Sequence, residues 1–233
     1  MQVIRPNCRA HFTQADVEFL TSTAGAWVDE SIDELLDSNA LFTALLDRPA
    51  CVRVSTHFYF YVLVRHVLLQ SGLDDRTVAD YVAEVLAEFS TAERARCPLA
   101  DDPRPYEYVV DLLTAIRDAD EQKRFILRAH VGNLSLFLAG VFSKHLEHRA
   151  RTRAAPELAF YENVGVSSYL AASDHPLAKR YAVAPVFHAL SESFHTARVA
   201  LNDLSDRLIF LDGDSTAELI GERSEDGGRR TEG

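Results

Sequence analysis

The chain has 233 residues, 47% hydrophobic and 25% charged, with a formal net charge of −11 at pH 7. That length supports a sizeable core in one large domain or two small ones, and the composition is that of an ordinary globular protein. The acidic balance, with no basic stripe to override it, argues against nucleic-acid phosphates and anionic membranes as partners. In chain order, helical periodicity dominates. TQADVEFLTSTAGAWVDESIDELL opens on Thr13 with Asp16 three residues later, a variant of the capping box. Asn39 can cap ALFTALLD, which stops at Arg48-Pro49. The stretch 51–70, CVRVSTHFYFYVLVRHVLLQ, is ambiguous: β-branched and aromatic content favours a strand, length and neighbours favour a helix. A buried helix is expected, because no second strand is available to satisfy its backbone.

Ser71-Gly72 breaks the chain, and Asp74 or Asp75 starts RTVADYVAEVLAEF, with Val78, Val82, Val85, Leu86 and Phe89 in one stripe. CPLADDPRP at 97–105 reads as a loop feeding the amphipathic YEYVVDLLTAIRDA. Residues 120–150 form the longest apolar segment and 156–173 the next; Asp174-His175-Pro176 ends the latter, and Pro185 sits in the first turn of a last helix. The expectation is an all-α fold: a single bundle-like domain of about eight or nine helices over 11–211, with a central apolar helical hairpin at about 120–173. Residues 212–233 read as a disordered acidic tail.

Cys8, Cys51 and Cys97 are odd in number and widely spaced, so neither a disulfide framework nor a zinc knuckle is expected. MQVIRPNCRAHF lacks the apolar core of a signal peptide, and FYFYVLV at 58–64 is too short to span a bilayer. A soluble, cytoplasmic protein follows, with a homo-oligomer or a protein partner as the conceivable assembly.

Chemistry has several candidate locations. His188, Glu192 and His195 have metal-ligand spacing on the last helix. They lie opposite the arc of Phe187, Leu190, Phe194, Ala197, Leu201, Leu204 and Leu208, so a solvated face is favoured over a metal site. A ferritin-like centre also needs a second Glu-x-x-His, and Glu192–His195 is the single instance in the chain. His57, Tyr61 and Arg65 share a line on an apolar helix. Arg65 then needs an internal acid such as Glu84, or the carboxylate of a small ligand. Asn133 and Glu162 are candidate polar contacts to that ligand. His130 reads as a buried neutral histidine; in the alternative it joins His57 and Glu162 around iron, manganese or zinc.

The segment 124–173 carries Gly132, Gly140 and Gly165, each costly in a helix interior by about 1 kcal/mol relative to Ala. Close helix approach offsets that cost. A hairpin turning near Arg151–Ala154 puts Gly140 and Gly165 at similar heights, flanked by Tyr161 and Tyr169. The pattern G-N-x-S-L-F-x-x-G-x-F from Gly132 to Phe142, followed by Tyr161, Gly165 and Tyr169, resembles a family of uncharacterised bacterial all-helical proteins. Asn133 stands where that family more often has Asp. The resemblance implies no activity. The favoured reading is a non-enzymatic protein that binds itself, a partner or a small apolar or carboxylate ligand, with no cofactor; the alternative is a metal-dependent, oxygenase-like helical enzyme.

Overall fold

Short polar side chains start the helices of this chain by accepting hydrogen bonds from backbone N–H groups that have no helical partner. The computed structural model describes residues 3–24, 31–46, 54–99, 105–106, 108–153 and 155–207. Within them lie a 3-10 turn, Cys8–His11, and twelve α-helices. These are α1 (Gln14–Ala24), α2 (Ile32–Leu36), α3 (Asn39–Leu45), α4 (Thr56–Gln70), α5 (Arg76–Phe89) and α6 (Ala92–Arg96). They continue with α7 (Val109–Asp118), α8 (Glu121–Val141), α9 (Ser143–Arg153), α10 (Leu158–Ser173), α11 (Pro176–Arg180) and α12 (Ala184–Arg207).

Ser31, Ser38, Ser55, Asp75 and Asp120 cap α2, α3, α4, α5 and α8 through their side chains. The cap of α3 is thus Ser38, one residue before the expected Asn39. Asp16 does more than cap. Its carboxylate accepts from Thr13 N at 2.7 Å, and from Ser55 N and Ser55 Oγ at 2.7 Å each, joining the start of α1 to the start of α4. Burial alone would raise its pKa, but these hydrogen bonds hold it below the usual carboxylate range. Residues 56–70 are helical, and there is no strand among the described residues. Gly72, at φ 83°, ends α4 in the left-handed conformation glycine tolerates, with Leu73 N donating to Leu68 O at 2.9 Å.

Helix α8 is the central element. It packs against α10, α12, α7 and α5, while α12 also lies on α4. All of Ala129–Gly140 is buried, which is why the segment is apolar nearly all round. The expected hairpin is modified: α8 stops at Val141 and the chain bends by 90° into α9. SKHLEHRARTR buries only Ser143 and Leu146, so it has no apolar stripe to hold it alongside α10. Gly140 therefore does not meet Gly165. A Cβ on Gly140 would lie 2.8 Å from Leu201 Cβ of α12, and one on Gly132 would lie 2.7 Å from the Tyr169 ring of α10. One on Gly165 would collide with the Phe194 ring of α12 and sit 3.1 Å from Ser135 Cβ of α8. The three glycines thus serve three different contacts.

The 3-10 turn Cys8–His11, at the edge of the expected 11–211 domain, packs against α4 and α5, with Cys8 fully buried. The expected tail at 212–233 lies outside the described residues. Among the described residues no single helix is long and apolar enough to cross a membrane.

Candidate functional site

Asp80, Glu84 and Glu88 are spaced four residues apart and so form one line along α5. Asp80 and Glu84 are 7% and 5% exposed, and a carboxylate at such depth is costly unless it is matched. The N-terminal segment supplies the match. Arg9 N donates to Asp80 Oδ1 at 2.9 Å, and Cys8 Sγ donates to His57 O at 3.2 Å. The Arg9 guanidinium pairs with Asp33 at 2.7 Å and lies over the Tyr61 ring at 5.4 Å. These contacts dock the 3-10 turn on α4 and α5.

Docking brings His11 onto His57, the rings stacked with centroids 4.4 Å apart and planes 29° apart. Both imidazoles address Glu84: His11 Nε2 lies 3.9 Å from Oε1 and His57 Nε2 lies 3.7 Å from Oε2. The ligand atoms of the three residues all lie within 4.8 Å of one another. Glu84 Oε2 is buried and makes no hydrogen bond. Burial, helped by Glu88 and Asp80, pushes the Glu84 carboxyl up to about 7. Burial, and then the neighbouring His11, push His57 down, which favours the neutral imidazole. Burial raises the Cys8 thiol, so it offers no thiolate. Asn7 Nδ2 lies 3.2 Å from His11 Nε2.

Beside the trio is a cavity of about 360 Å³, whose wall includes Arg5, Asn7, Glu88, Arg94 and Tyr181. Two imidazoles and a carboxylate from three elements are a donor set suited to a first-row divalent ion. Such an ion sits about 2.0–2.1 Å from each donor, so the observed spacing needs only a modest inward movement to close.

The residues expected from sequence are distributed elsewhere, His57 excepted. Arg65 is 2% exposed, and its guanidinium donates to Asp37 at 2.9 and 3.0 Å and to Asp74 at 2.6 Å. It pairs neither with Glu84 nor with an open ligand pocket: two aspartates within reach already neutralise it. Tyr61 is fully buried with its ring against Phe12, so the His57–Tyr61–Arg65 line does not face one site. Asn133 Oδ1 accepts from Tyr81 at 2.7 Å and from Tyr169 at 2.8 Å, an internal latch between α5, α8 and α10. His130 Nε2 lies 2.8 Å from Ala95 O and its ring meets Phe89 edge-on; burial pushes it down to about 4.

Glu162 lies 2.9 Å from His195 Nδ1 and also accepts from Arg198 Nε, bridging α10 to α12. His188, Glu192 and His195 are exposed, with His188 Nε2 3.6 Å from Glu192. None of these joins His57. Among the described residues no other group of three His, Cys, Asp or Glu gathers in this way. A second, more apolar cavity of about 400 Å³ lies where α9 leaves α8, floored by Leu134, Leu138 and Leu146.

The sequence reading missed His11 and the role of Glu84. One signal was present: a line of three carboxylates along a helix that is otherwise almost wholly apolar on its buried side. Comparisons with protein-family models, with curated proteins and with solved structures return no match to this chain.

Proposed function

We propose that the protein binds one first-row divalent metal ion through His11, His57 and Glu84, and that the ion keeps open positions toward the adjoining cavity. The observation that carries this reading is the buried Glu84 carboxylate, its Oε2 without a hydrogen bond, with one imidazole facing each of its oxygens. Three protein ligands beside a hollow are the arrangement of a reactive site, whereas structural zinc sites close with four. An ion held so would polarise a water or a substrate oxygen in the cavity. This favours metal-dependent chemistry over a purely apolar binding role, at residues other than the Glu192–His195 face.

The test uses untagged, metal-stripped protein titrated with Co(II), read by its visible spectrum and by elemental analysis. One ion per chain is expected, with the signal lost in His57→Ala and in Glu84→Gln and kept in His195→Ala. No bound ion, or loss in His195→Ala alone, overturns the reading; thermal melts of each variant report folding.

A further inference from the structure

The trio accounts for part of its cavity wall and leaves the rest unexplained. Arg5 lies on the same wall, held with its guanidinium 5.0 Å from the centroid of the Tyr181 ring. Among the described residues it makes no ion pair, whereas the other wall arginine, Arg94, is closed on Glu88. A planar guanidinium fixed on an aromatic face is pre-organised to take a carboxylate through two parallel N–H donors. Asn7 stands in the same wall, and its amide lies 3.2 Å from His11 Nε2. An ion on that nitrogen takes its lone pair and releases the Asn7 amide to donate to an oxygen in the cavity.

Charge points the same way. Glu84, Glu88, Arg5 and Arg94 are the charged side chains of the wall, two of each sign. A divalent ion makes this space net positive. Small anions are then the complementary occupants, and the cavity volume of about 360 Å³ suits a small molecule and not a peptide.

We infer that this cavity binds a small dicarboxylate, one carboxylate on the ion held by His11, His57 and Glu84 and the other on the Arg5 guanidinium, with the Asn7 amide donating to the metal-bound end. The inference rests on the metal reading above. It makes the two bindings reciprocal: the anion tightens the metal by the factor by which the metal tightens the anion.

The experiment is calorimetry and Co(II) spectroscopy on the full chain, with succinate as probe and butyrate, which has one carboxylate, as control. Succinate is expected to perturb the Co(II) spectrum and to bind the metal-stripped chain at least about tenfold more weakly. Arg5→Ala is expected to keep Co(II) affinity and weaken succinate about tenfold, leaving butyrate unchanged. Co(II) binding without a succinate response, or succinate binding that Arg5→Ala leaves intact, overturns this inference and spares the metal reading. A chain that takes no Co(II) overturns both.

Discussion

Asn133 holds its place in the core by accepting two tyrosine hydroxyls on a single carboxamide oxygen, while Gly132 beside it leaves room for the Tyr169 ring. Replacing Asn133 by Leu keeps the volume and orphans both hydroxyls. At about 1–3 kcal/mol for each buried unsatisfied group, denaturant unfolding should report a loss of roughly 3 kcal/mol. Gly165→Ala should cost about 1–3 kcal/mol by overpacking against Phe194, and an unchanged unfolding midpoint would contradict that close approach. His130 sets a pH dependence. Its folded pKa of about 4 lies below the 6.5 of an ordinary imidazole, so the unfolded chain binds more protons between these limits. Stability should therefore fall as pH drops from 6.5 toward 4, by up to about 1.4 kcal/mol per unit for one such group. His130→Gln, which retains a donor for Ala95 O, should show a shallower decline over that window in melts taken at several pH values.

At Asp37, charge ties three helices together. Asp37, at the end of α2, receives Arg65 of α4 and Arg76 of α5, the latter at 2.6 and 3.1 Å. Burial would raise the Asp37 carboxyl, but the two guanidiniums hold it below the usual range. Arg65 cannot retreat to water from its 2% exposure, so Asp37→Ala removes two of its three carboxylate hydrogen bonds and leaves it Asp74 alone. A loss of about 3 kcal/mol is expected in chemical denaturation. Arg65→Met, which removes the charge itself, should cost less than Asp37→Ala. The opposite order would show that the pair contributes net stability.

For the molecule as a whole, the trio spans the N-terminal turn, α4 and α5, so an ion there would bind the native state and not the unfolded chain. At a free metal concentration a hundredfold above Kd, mass action predicts about 2.7 kcal/mol of added stability, visible as a raised Tm. Glu84→Gln should abolish the increment. The bend between α8 and α9 belongs to this scale too. The hollow over Leu134, Leu138 and Leu146 lies beside it, lined from both helices.

The sequence by itself determined the helices, because their signals are local. Asp75 and Asp120 cap the N–H groups that follow them, and the stripe from Val78 to Phe89 repeats at helical spacing within one short segment. Periodicity likewise set His188, Glu192 and His195 opposite the apolar arc of the last helix, where all three are exposed. The gathering of His11, His57 and Glu84 was decided only by tertiary structure. They come from three elements, and no spacing along the chain encodes their distances. The line of Asp80, Glu84 and Glu88 put acids along a largely buried helix, but which groups meet them depends on how the N-terminal turn docks on α5. In the same way Arg65 signalled a need for acids, and the packing of α2 and of the α4–α5 turn chose Asp37 and Asp74 over Glu84. Capping and amphipathicity act over one helical turn, whereas a site is assembled by burial, which acts on whichever elements the core brings together.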